Sequence, residues 1–484
     1  MNVAKQKQNG AYYTPDAVVR SLVHWAVRKP SDRMLDPACG DGRFLAAHPN
    51  SVGVEHDAEA AAIVYGRAPG SLIHQGDFFA WAGRTHERFE CAAGNPPFIR
   101  YQRFSGAVRN TALALCTSRG ARFSALASSW APFLAATATL LKPGGRMAFV
   151  VPAEVGHAPY ARPLLEYMAA NFSLVHVTAV RDKFFPELSE DCWLLYAEGF
   201  GGNTDHFVFS ALERFNFMTK PPRTSVRVSL QEWRSWNSRL RPFLLSPDAR
   251  TVYQHAAHSP GCTRLGDVAA VGIGYVTGAN DFFHFRPSQA AEQAIPAEIL
   301  RPAVRSGRSL TGRAITRSTV ETWCRRDEPV LLLDLSACAE LPGPVRRYLD
   351  SPEGQAARTS YKCRNRSPWY VVPDVIVPAA FLSYMSGDGP YLVANHAGCV
   401  GTNSVHVVRV TRAVSVPQLQ RAWNGPLTRL SCEVEGHALG GGMLKLEPGE
   451  AARVVLGPSP VRSSSDRRLL EDAIITMRRW RHYA

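Results

Sequence analysis

The chain has 484 residues, 45% hydrophobic and 20% charged, with 55 Lys and Arg against 41 Asp and Glu and a formal net charge of +14. That length suits two or three domains that bury ordinary cores. No apolar run approaches the roughly 18 residues of a membrane span, and Met1 to Gly10 lacks a signal-peptide stretch, so a soluble cytoplasmic protein is expected. The ten Cys are scattered with no C-x-x-C spacing, which argues against zinc or a disulfide framework, and no metal is expected. The basic excess is mostly Arg and even between the halves, which suits a polyanionic partner. An Arg-rich but merely soluble surface would give the same count.

Along the chain, short apolar runs alternate with amphipathic stretches from Asp32 to Val151, the pattern of a parallel sheet with helices on both faces. Strands are predicted at Arg33 to Leu35, Ser51 to Val54, Ser71 to Ile73, Phe89 to Ala93 and Arg146 to Val151. Helices are predicted at Ala58 to Tyr65 and Ser124 to Leu141, the second closed by Lys142-Pro143-Gly144-Gly145. Leu174 to Val180 and Cys192 to Ala197 extend the same sheet. A Pro, Arg and Ser-rich stretch then marks a boundary, dividing the chain into a first domain at 1–225, a linker at 226–250 and a mixed α+β domain at 251–484. Arg462 to Arg481 reads as a basic amphipathic helix with a solvated face.

The chemistry sits at the strand ends. After the first strand comes Asp36-Pro37-Ala38-Cys39-Gly40-Asp41-Gly42, where Gly40 and Gly42 permit a tight turn and Asp36 suits a cationic ligand rather than phosphate. The second strand ends at Glu55, which can accept both hydroxyls of a ribose. The third is followed by Asp77 and Phe78, a carboxylate for an exocyclic amine and a ring for an adenine face. Each acid alone reads as a cap or turn residue; in order on successive strands they describe S-adenosylmethionine. The fourth strand runs into Asn95-Pro96-Pro97-Phe98. A nucleobase amine is a poor nucleophile until its hydrogens are accepted, which the Asn95 side chain and the Pro96 carbonyl can do, while Phe98 offers a face to a base rotated out of its duplex.

These motifs resemble the gamma-class N6-adenine DNA methyltransferases of restriction-modification type. Gly10-Ala11-Tyr12-Tyr13-Thr14-Pro15 matches their first segment, and all five motifs occur in the family order over Gly10 to Gly199. The resemblance implies a Rossmann-like class I methyltransferase sheet followed by a target-recognition domain, with Thr14 holding the methionine carboxylate. It also implies a site-specific adenine DNA methyltransferase acting on double-stranded DNA, the modification enzyme of a restriction-modification or related defence system, with a cognate endonuclease as a possible partner and a monomer expected. Later segments resemble pieces of the family's recognition domains: Gly272 to Phe283, Tyr361 to Tyr370 and Gly440 to Glu450. Their Arg364, Arg366 and Trp369 read either as DNA contacts or as core aromatics beside a solvated basic loop.

Gamma enzymes usually carry a second base-stacking aromatic after the sixth strand. Tyr196 is the candidate, with Trp193 and Phe185 competing, and all three are compatible with a core role. Phe98 replaces the commoner Tyr, which retains stacking. From Cys91 to Ala153 there is no Asp or Glu, while Arg100, Arg103, Arg109, Arg119, Arg122, Lys142 and Arg146 are present. That charge run beside Asn95 suits a nucleic-acid backbone, with Arg100 and Arg103 nearest the loop. The alternatives are a non-catalytic sequence-reading DNA-binding subunit, or a methyltransferase acting on cytosine N4 or RNA.

Overall fold

Met34–Asp36 is buried throughout and forms β1, an inner strand of a nine-stranded sheet. The structure, a computed structural model, describes residues 14–186, 190–411, 414–457 and 463–483. Contacts divide it into two units, Met1–Leu244 and Leu245–Ala484.

In the first unit β2 (Ser51–Glu55), β3 (Leu72–Gln75), β4 (Phe89–Gly94) and β5 (Leu141–Pro152) run parallel with β1 in the order β3-β2-β1-β4-β5. β7 (Cys192–Phe200) then inserts antiparallel between β5 and β6 (Phe172–Val180), and β8 (His206–Leu212) and β9 (Val226–Ser229) complete the sheet. Buried apolar runs suit a sheet covered on both faces. On one face Val18, Leu22 and Trp25 of helix Asp16–Ala26 pack against Met34, Ala148 and Leu194. Leu45, Val64 and Ala68 form a second buried cluster with Cys39. Strand order reverses between β1 and β4, so the loops that follow these two strands border a crevice at the carboxyl end of the sheet.

All seven predicted strands exist, with ends shifted by a few residues. The predicted helix Ser124 to Leu141 shortens to Trp130–Ala138. Its serines explain the lost turns, because the Leu126 N–H donates to the Ser124 hydroxyl and the Ser129 N–H to the Ile99 carbonyl, both in place of helical bonds. Lys142 to Gly145 does not precede the strand but lies within β5, where the register against β4 shifts. The stretch 226–250 contains β9, helix Leu230–Ser235 and the division between the units at Leu244.

The second unit mixes helices with small sheets. Strands Ala269–Ile273, Val405–Val410, Ala380–Ser383, Leu392–Asn395 and Ala314–Ile315 form one sheet in that order. Tyr275, Phe282 and Cys363 are buried in one core, with Trp369 packed against it, which joins the segments 272–283 and 361–370. The terminal helix Ser464–Trp480 buries Leu470, Ala473, Ile474 and Met477. Its end departs from the expected solvated face, because Arg481 is wholly buried against Glu433 with N–O distances of 3.0 and 2.8 Å. Arg462 lies outside the described residues.

Candidate functional site

The crevice of the first unit holds a cavity of about 420 Å³ lined by residues from β1, β2, β3 and β4 ends, among them Thr14, Asp36, Glu55, Asp77, Phe78 and Asn95. The loop after β1 carries Gly40 at φ +54° and Gly42 at φ +83°, values that favour glycine. A Cβ on Gly42 would also stand 2.8 Å from the Val64 side chain, so this glycine lets the turn lie on helix Ala58–Arg67. Gly40 lines the cavity and Gly42 does not.

Asp36 is 1% exposed; Oδ1 accepts from the Ala38 N–H at 3.2 Å, and Oδ2 has no hydrogen-bond partner. Burial, reinforced by the nearby Glu55 and Asp41 charges, pushes its carboxyl up to about 8. β4 approaches closely: a Cβ on Gly94 would come within 2.6 Å of Asp36 Oδ1. Asp41 is ion-paired with Arg43 at 3.1 Å and with Arg67. Arg43 also donates to the Thr14 carbonyl at 3.4 Å, tying the first described residue, itself buried, to the rim.

Glu55 accepts from the Gly40 N–H at 2.8 Å and the Asp57 N–H at 2.7 Å, so one carboxylate joins the glycine turn to the β2 tip. Asp77 caps its helix by accepting from the Ala80 N–H at 2.8 Å while lining the cavity. A capping bond and a place on the cavity wall are therefore compatible for Asp77. Phe78 is buried, with its ring stacked on Phe133 at 5.0 Å. Phe133 and Ser129 line the cavity, and so do Cys39, Phe104 and Val108. Sequence reasoning missed Phe133 because its helix is apolar on all sides and gives no periodic signal.

Asn95 and Pro97 line the cavity, Pro96 is buried beside them, and Phe98 is half-buried against the core. Tyr196 is corrected to a core residue: it is 1% exposed on an interior strand and meets Trp25 edge-on at 5.0 Å. Trp193 and Phe185 are buried as well. Residues 10–13 of the first motif, and 187–189, lie outside the described residues.

Arg103 lines the cavity, whereas Arg100 is exposed and ion-paired with Glu190 at 2.7 Å. In the same acid-free stretch Lys142 pairs with Glu90, and Arg146 lies 3.6 Å from Glu198 and 3.9 Å from the Trp25 ring centroid. In the second unit Arg364 is exposed over Tyr361. Arg366 instead donates to the carbonyls of Val276 and Thr277, the latter at 2.7 Å, and Trp369 packs on Phe282 at 5.9 Å. Both take part in packing of the unit, whereas Arg364 is exposed.

The sheet order with its antiparallel β7 is that of the Rossmann-like class I methyltransferase fold. A solved structure described as the Type IIL restriction-modification enzyme MmeI in complex with DNA shares the fold over 98% of this chain and 71% of its own, at TM-score 0.59 and 13% identity. The chain spans 61% of another solved neighbour, the type IIG restriction endonuclease BpuSI, at TM-score 0.45. Residues 237–481, just over half of the chain, match the family described as Type II methyltransferase M.Eco57I, C-terminal domain, and residues 1–70 match N-6 DNA Methylase. The chain belongs to this type II methyltransferase family. It is 26% identical over 469 residues to Type II methyltransferase M.XamI of Xanthomonas campestris pv. amaranthicola, covering 92% of this chain and 84% of the relative. It is 19% identical over 473 residues to M.AccI of Acinetobacter calcoaceticus, covering 93% and 85%.

Proposed function

We propose that the protein is a sequence-specific DNA methyltransferase that moves a methyl group from S-adenosylmethionine to the N6 amine of an adenine turned out of its duplex, as the modification enzyme of a restriction-modification or related defence system. The observation that carries this reading is the single cavity shared by the acid tips of β1, β2 and β3 and by Asn95 and Pro97. The residues fit the cofactor: Asp36 offers an unpartnered buried oxygen to a cation, Glu55 a ribose acceptor and Phe78 an aromatic face, with Thr14 at the carboxylate end. When bound, S-adenosylmethionine supplies an electrophilic methyl on a sulfonium that is already a good leaving group.

The chain's own task is then positioning. Asn95 accepts a hydrogen of the adenine amine through its side-chain oxygen, and the Pro96 carbonyl accepts the other, which localises the nitrogen lone pair toward the methyl. Phe98 stacks on the base. The exposed Arg103 and Arg364 meet backbone phosphates, and the second unit reads the target sequence.

Expression in a host without DNA methylases, followed by modified-base sequencing of its genome, tests the reading. Methyladenine confined to one short motif is expected. Asn95→Ala should slow transfer at least about a hundredfold, as for loss of one preorganised polar group, while cofactor binding persists. Equal methylation by wild type and mutant would remove Asn95 from the mechanism, and modified cytosine would redirect the base assignment.

A further inference from the structure

We propose that Ser129 is a positioning residue that holds the Asn95 to Phe98 loop in register with the target base; this rests on the methyltransferase reading above. Residues 95–105, between β4 and helix Gly106–Ser118, form no helix or strand, and Pro96 and Pro97 have no N–H to donate. A loop so poor in donors needs an outside anchor if its carbonyls are to keep a fixed aim. Ser129 supplies one from the residue preceding helix Trp130–Ala138, where it is wholly buried.

Its hydroxyl donates to the Pro97 carbonyl and accepts from the Ile99 N–H at 3.0 Å. Its own N–H donates to the Ile99 carbonyl at 3.0 Å. Two of the three bonds grip the peptide groups on either side of Phe98, whose ring rests half-buried on the core, and the third holds the peptide that follows Ile99. A hydroxyl is suited to this because one small group gives and takes a hydrogen bond at the same point. Ser129 lines the same cavity as Asn95, Pro97 and Ile99, so a shift of its anchor is felt where the base is held. Removing the oxygen leaves the Pro97 carbonyl and the Ile99 N–H without these partners, and the loop relaxes to satisfy them elsewhere.

Ser129→Ala, assayed in the full chain with its mapped DNA site, separates anchoring from a general structural role. Single-turnover methyl transfer should fall about tenfold, the rate equivalent of about one net hydrogen bond, with the dissociation constants of cofactor and DNA within about twofold of wild type. In a Phe98→Ala background the same change should cost less than it does in the wild type, because the ring among the groups it aims is gone. A full wild-type rate in Ser129→Ala overturns the inference. So does an undiminished loss in the Phe98→Ala background, or a loss of cofactor affinity as large as the loss of rate. Should the alanine variant not fold, Ser129→Cys keeps a similar volume with a poor donor and carries the same measurements. If the wild-type chain itself methylates no DNA, the methyltransferase reading falls and takes this inference with it; transfer by wild type together with an unimpaired Ser129 variant overturns the inference alone.

Discussion

Asp36 concentrates the electrostatics of the site in one side chain. Its buried carboxyl is raised to about 8, so near neutral pH it is largely protonated and must release that proton to face a cation as a carboxylate. Affinity for S-adenosylmethionine should therefore improve from about pH 6 to about pH 8, and Asp36→Asn should flatten the rise, as read by calorimetry. The same slope in both proteins would assign the titration to another group. Stability moves the opposite way. The folded protein retains a proton that the unfolded chain releases near its ordinary value of 3.8, so this group's contribution declines as pH rises from there to about 8. At this scale the acids were legible because each stands beside a glycine or a turn at a strand end. Tyr196 was not, since an aromatic on a strand has the same letter code whether it faces a base or, as here, Trp25 and the core.

Elements were legible where apolar runs were short and bounded. The strands of the main sheet fall in that class; helix Trp130–Ala138 does not, because whether Ser124 to Ser129 continue the helix depends on the loop that captures the Ser129 hydroxyl. The terminal helix teaches a similar lesson. Its arginines suggest solvent, yet Arg481 is buried, with its guanidinium bonded to Glu433 and to the carbonyls of Gly387 and Gly442. Arg481→Ala removes both guanidinium bonds to the buried Glu433 and is expected to destabilise the second unit by about 3–5 kcal/mol in denaturant melts. A change below about 1 kcal/mol would mean that the pair contributes as little as an exposed one.

For the whole molecule the relevant property is charge. With a net charge of +14 and an acid-free run from Cys91 to Ala153, DNA affinity should fall steeply with salt. If about six phosphates are neutralised, the slope of log affinity against log salt is about −5. Ion pairs already formed by Arg100, Arg146 and Lys142 act to lower that number, and a slope near zero would sink the polyanion assignment. Arg364→Ala should weaken binding to specific and non-specific DNA alike, whereas Arg366→Ala should act chiefly on stability through the lost bonds to Val276 and Thr277. No helix among the described residues is long and apolar enough to cross a membrane.

The sequence by itself determined the alternation of strands and helices, the glycine turn, the acids at three strand tips and the Asn-Pro-Pro-Phe motif, because local periodicity and turn chemistry act over a few residues. Tertiary structure decided what those residues face. Only folding shows that Asp36 is buried with a free oxygen beside Gly94, that Phe133 backs Phe78, that Ser129 grips the 97–99 loop from about thirty residues away, and that Arg366 and Arg481 are structural cations. Burial, desolvation and hydrogen bonding across distant segments are properties of packing, and one-dimensional spacing does not encode them legibly.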